Sequence, residues 1–175
     1  MTDAIAAMAT WIGALARGGL LMGRDEEEGA LLALRVLGED GLSRLRESFA
    51  TRPPEEVLRE RRGAIHACIW MAQADREIVE RELAMLEEII AHSDLSPADR
   101  DDLQAAILEP QHPERFAEEL TQHELRELMV ALGWQLAMAD GRVDDEELEA
   151  LGEMAGAFGV PRRRVEAIRA AVQGA

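Results

Sequence analysis

The chain has 175 residues, 47% of them hydrophobic and 31% charged, which is enough apolar material over enough length to bury a core and excludes a disordered segment. With 35 Asp and Glu against 19 basic residues, all of them Arg, the net charge of −16 excludes the cationic footprint that sequence-independent nucleic-acid binding needs. A single cysteine, Cys68, excludes an internal disulfide and matches a reducing, cytoplasmic setting.

Residues 4–23 are apolar or small apart from Thr10 and Arg17. Arg17 would cost about 2.5–3.5 kcal/mol near a bilayer centre, and Asp3 stands where a signal peptide carries positive charge. Ile5, Met8, Ile12 and Leu15 recur at helical spacing, with Trp11 beside Ile12, so an amphipathic helix packed on the domain is expected. Peripheral membrane contact through residues 4–23 is the minor alternative. Residues 26–37 place Ala30, Leu31, Leu34 and Leu37 on one face, behind an acidic run that suits a helix N-terminus. A turn at Gly38-Glu39-Asp40-Gly41 follows, then a short helix with Leu42, Leu45 and Phe49. Thr51-Arg52-Pro53-Pro54 breaks the pattern and divides an N-terminal helical segment, 1–54, from a second unit, 55–175.

From Glu55 the period resumes through Leu58, Ile65, Cys68, Ile69 and Ala72, and again through Leu83, Leu86, Ile89 and Ile90. Cys68 falls on the apolar face and reads as a small buried hydrophobe. Ser96-Pro97 is an N-cap with proline at the first helical position, ahead of Leu103, Ala106 and Ile107. Residues 110–113 form a loop. Thr121-Gln122-His123-Glu124 reads as a capping box before Leu125, Leu128, Met129, Leu132 and Leu136. Residues 144–147 open another helix, and Val160-Pro161 starts the last, with Val165, Ile168 and Val172. The fold class is all-α, a compact bundle of about seven to eight helices.

Two stretches repeat. Ala72, Ala74, Asp75, Ile78, Glu82 and Leu83 superpose on Ala137, Ala139, Asp140, Val143, Glu147 and Leu148 at an offset of 65, the separation of Asp75 from Asp140. The register holds through Leu86 on Leu151, Ile89 on Met154, and Leu95 on Val160. A repeated helical hairpin accounts for the apolar matches but not for the recurrence of both acids. An Asp and a Glu seven residues apart across a turn can reach one cation. Asp140, Gly141, Val143 and Glu147 fit the fifth, sixth, eighth and twelfth positions of an EF-hand loop. The first and third positions hold Leu136 and Met138, or Met71 and Gln73 in the first copy, where Arg76 also replaces the glycine. This is not an EF-hand, and any ion takes further ligands from water or from the other copy.

The same acids have a purely structural reading. Asp144 and Glu147 make a capping box, a first-turn carboxylate is favoured by the helix dipole, and Asp140-Gly141 is an ordinary turn. Val79 cannot cap as Asp144 does, yet Glu82 is present in that copy as well. His66, His92, His112 and His123 show no paired zinc spacing, and Arg162, Arg163 and Arg164 read as a solvated surface or a dock for an acidic partner. No nucleophilic triad or phosphate loop is recognisable. A glycosidase carboxylate pair would need an aromatic-lined cleft, and the chain has three Trp, three Phe and no Tyr.

The doubled pattern A-x-A-D-(G)-x-(V/I)-x-x-x-E-L resembles the TerB-like family, named for tellurite resistance, over about residues 60–172. The resemblance implies a helical module of two related halves, with Asp75 and Glu82 in the first and Asp140 and Glu147 in the second as divalent-metal ligands. An all-oxygen set favours Ca²⁺ or Mg²⁺. It further implies a non-enzymatic role in bacterial stress-response systems, with protein partners that include membrane-associated ones. The alternative is a generic all-α interaction or co-chaperone-type scaffold with no metal site.

Overall fold

The computed structural model describes residues 2–16, 24–74, 78, 80–109, 111–139 and 143–174. Among them the chain forms α1 (Thr2–Ala16), α2 (Arg24–Thr51), α3 (Pro54–Gln73), α4 (Glu80–Ala91), α5 (Pro97–Leu108), α6 (Pro113–Ala117), α7 (His123–Ala137), α8 (Asp145–Ala157) and α9 (Arg162–Gln173), with no strand. The class is the all-α one expected, with a short helix, α6, in addition where Pro113, expected to end a loop, takes the first helical position.

The duplication is written into the helix boundaries. Asp145 and Arg162, which open α8 and α9, lie 65 residues beyond Glu80 and Pro97, which open α4 and α5. The bundle is thus α3–α4–α5 and α7–α8–α9, joined by α6 and preceded by α1 and α2.

Apolar side chains from both sides of the Pro53-Pro54 break share one core. Ile5, Met8, Trp11, Ile12 and Leu15 of α1 are buried in the same cluster as Leu45, Ile69, Leu86, Leu128 and Ile168. α1 packs against α2, α3, α4 and α7. Its approach to α2 depends on Gly29, where a Cβ would lie 2.6 Å from Trp11 Cβ and 2.9 Å from the Ala7 carbonyl oxygen. α7 is buried along nearly its whole length, as its apolar run from Leu128 to Leu132 requires.

α2 departs from expectation in its orientation. Leu31 and Leu34 are 58% and 41% exposed, while Gly29, Leu32, Ala33 and Val36 turn inward. Both sides of this helix are apolar, and the side with the smaller residues is the one that lets α1 come close. At Gly38 the backbone takes φ 70° and ψ 175°, bending α2 into two arms where the turn was expected. Arg164 reaches across from α9 to the carbonyl released there: its Nη2 donates to Val36 O at 2.8 Å and to Glu127 Oε2 at 2.6 Å. Arg164 is therefore part of the frame, whereas Arg162 pairs on the surface with Glu166.

The expected capping box at α7 does not form, because Glu60 competes for its donors. Fully buried on α3, Glu60 accepts from the Thr121 amide at 2.9 Å, the Gln122 amide at 3.3 Å, Arg52 Nη1 at 3.1 Å and the Thr121 hydroxyl. Glu124, the other half of the expected box, instead accepts from Arg44 of α2 at 2.9 Å. One buried carboxylate thus ties the end of α2, the middle of α3 and the entry to α7.

Candidate cation site between the two copies

The C-terminal ends of α3 and α7 and the first turn of α8 converge. Trp70 and Met71 from α3 with Ala74 just beyond it, Leu136 and Ala137 from α7, and Glu147, Ala150 and Leu151 from α8 line a half-open cavity of about 50 Å³. Ala74 is the residue before Asp75, and Ala137 lies three before Asp140. The end of one copy's first helix therefore meets a carboxylate of the other copy. Among the described residues, Glu147 is the only charged side chain in this lining.

α3 closes with the Ala74 amide donating to Met71 O at 3.3 Å. α7 closes with the amides of Met138 and Ala139 donating to Trp134 O and Leu136 O at 3.1 and 3.0 Å. Helix C-termini carry partial negative charge, so two of them beside a carboxylate make a field that favours a cation.

α8 begins with the capping box read from the sequence. Asp144 Oδ1 accepts from the Glu147 amide at 2.8 Å, and Glu147 Oε2 accepts from the Asp144 amide at 2.9 Å. The box takes one oxygen of the half-buried Glu147 carboxylate and leaves Oε1 outside it. Glu82 occupies the matching first turn of α4 and is buried, at 6% exposure. Asp75 and Asp140, together with Arg76, Val79 and Gly141, lie outside the described residues.

Trp70 and Trp134, within one position of equivalence under the offset of 65, sit in different surroundings. Trp70 walls the cavity, whereas Trp134 sits beneath the Arg169 guanidinium, 5.0 Å from the ring centroid. Cys68 is buried as expected, and burial pushes its thiol up to about 12. His66 is buried too, with Nε2 and Gln111 Oε1 3.2 Å apart. Burial lowers its proton affinity below the ordinary histidine value, the Gln111 bond opposes this, and Arg62 and Arg115 add to it. His123 faces Glu127 at 3.0 Å, and His92 Nδ1 lies 2.9 Å from Glu88 O.

One convergence has no sequence signature. His112, Glu114 and Glu153 bring their donor atoms within 4.8 Å of one another, all three exposed. His112 and Glu114 flank the start of α6 and Glu153 belongs to α8, so no short motif or repeat register links them.

A duplicated all-helical unit with an acidic residue in each second helix defines a helical module with no strand among its described residues. The family model described as tellurite resistance protein TerB matches residues 61–170. The chain belongs to the TerB family. No curated protein and no solved structure matches it.

Proposed function

We propose that this chain is a non-enzymatic TerB module that holds a divalent cation, Ca²⁺ or Mg²⁺, with Asp75, Glu82, Asp140 and Glu147, and works through protein partners in a bacterial stress or tellurite-resistance system. The observation that carries this reading is the meeting of two helix C-termini with Glu147 at a cavity between the copies. Glu147 supplies an oxygen beyond the one in the capping box, and the second copy's Asp140 and the first copy's Asp75 follow the helix ends that border the cavity. Oxygen-only donors select hard ions.

A cytoplasmic setting accords with the single buried thiol, and no helix among the described residues is long and apolar enough to cross a membrane. Ile5, Met8, Trp11, Ile12 and Leu15 face the core, so a membrane-associated partner would be met through a protein contact rather than through these side chains.

Calorimetric titration of Ca²⁺ and of Mg²⁺ into wild type and into the Asp75→Asn/Asp140→Asn double variant tests the metal role. Saturable binding and a raised melting temperature in wild type alone are expected. Equal behaviour of the two proteins would leave the rival reading, an interaction or co-chaperone-type scaffold whose acids only cap helices. The complete Asp144–Glu147 box is the observation that favours that rival.

A further inference from the structure

We propose that His112, Glu114 and Glu153 form a second metal site, distinct from the one between the copies and selective for a borderline ion of the Zn²⁺ class. Its donors are one imidazole and two carboxylates, and their ligand atoms lie within 4.8 Å of one another. Zn²⁺ binds His nitrogen and Glu oxygen at about 2.0–2.2 Å, so a tetrahedral site places donors about 3.4 Å apart. Exposed Glu and His side chains close that difference by rotating about their own bonds. Three protein ligands leave one position for water. The nitrogen donor separates this set from the all-oxygen set between the copies and shifts its preference from Ca²⁺ and Mg²⁺ towards Zn²⁺.

The backbone beneath these ligands is fixed from below. His112 is extended, with φ −115° and ψ 135°, so its neighbours point away from it. Those neighbours, Gln111 and Pro113, are both buried. Gln111 is held by His66 and by its own Nε2 donating to Glu109 O at 2.9 Å. Phe116, fully buried, packs edge-on against Phe158 at the end of α8, with centroids 5.9 Å apart. Met154 and Ala155, next to Glu153, are buried as well. The α6 segment and α8 are therefore packed against each other, and the three ligands project from the seam between them. Neither Glu114 nor Glu153 is in an ion pair among the described residues, so a divalent ion would neutralise both carboxylates without breaking an existing contact.

Untagged full-length protein should be titrated with Zn²⁺ alone by calorimetry, with Co²⁺ absorption as a second readout of the ligand field. Wild type is expected to bind one Zn²⁺ at this site, with His112→Ala and Glu153→Gln each weakening it at least about tenfold. His123→Ala, which removes a histidine already facing Glu127, should leave the affinity unchanged. So should Asp75→Asn/Asp140→Asn, which keeps failure of the cation site between the copies separate from failure here. The exposed substitutions should leave the melting temperature of the metal-free protein unchanged. Should Glu153→Gln disturb folding, the shift of the His112 ring resonances on adding Zn²⁺ to wild type decides the matter. Absence of Zn²⁺ binding by wild type, a His112→Ala variant that binds as wild type does, or loss of binding in His123→Ala would each overturn the proposal.

Discussion

Glu60→Gln is the substitution whose cost follows most directly from the structure. The wild-type carboxylate has no exposure and accepts from two amides, a hydroxyl and an arginine. In the variant the amide oxygen can keep the Thr121 and Arg52 bonds, but as neutral ones. Bonds to charged groups contribute about 1.5–3 kcal/mol and neutral ones about 1, so weakening alone costs about 1–2 kcal/mol. The new amide NH₂ must then face the Gln122 amide, a donor against a donor, and leaving that buried group unpaired costs about 1–3 kcal/mol more. Together the loss is roughly 3–4 kcal/mol, a large part of the stability of a typical domain. At about 2–4 °C per kcal/mol for a chain of this length, the melting temperature should fall by roughly 10 °C. Urea denaturation followed by circular dichroism measures the change. A loss below about 1 kcal/mol would refute the claim that Glu60 joins α2, α3 and α7.

Four further outcomes are expected. Gly38→Ala should lower stability by about 1–3 kcal/mol, because φ 70° with ψ 175° is a glycine conformation. Gly156→Ala should raise stability by about 0.5–1 kcal/mol, since it lies within α8 and its Cβ would meet nothing within 4 Å; urea midpoints moving in the same direction for the pair would contradict this. For His66, the unfolded chain titrates near 6.5 and the folded one lower, so below about pH 6.5 the unfolded state takes up a proton that the native state refuses. Stability should therefore fall as pH drops through that window. His66→Gln should lose less than wild type between pH 7.5 and 5.5, and equal losses would exclude His66 as a source of acid sensitivity. Cys68, pushed up to about 12 by burial, should resist a disulfide reagent at pH 8 in native protein and react with one equivalent once unfolded; prompt native labelling would refute its burial.

Features set by local chemistry were legible in the sequence. The Ser96 cap, with its side chain accepting from the Asp99 amide, and the Asp144–Glu147 box both stand where residue type and spacing put them. The repeat offset carried the starts of α4 and α5 onto those of α8 and α9. What distant residues decide was not legible. The α2 helix has two apolar sides, and only the close approach of α1 at Gly29 selects the one that Leu32, Ala33 and Val36 occupy. Thr121 has the sequence of a helix cap, but Glu60, 61 positions earlier, takes its hydroxyl and its amide. The His112, Glu114 and Glu153 group was hidden for the same reason, since its members meet only after α6 packs against α8. At the candidate site between the copies, periodicity gave the helices, while the cavity arose from α3 of one half meeting α8 of the other.

The insertion of Trp11 and its neighbours beneath α2 sets a limit on how this protein can be cut for laboratory use. A fragment trimmed to the stretch shared with its family, beginning at Arg61, would strip a lid of large side chains from the bundle and leave a raw hydrophobic scar on α3, α4 and α7. Such a fragment would self-associate, and any ion affinity recorded from it would describe an aggregate. Deletion boundaries should keep α1 and α2 with the rest.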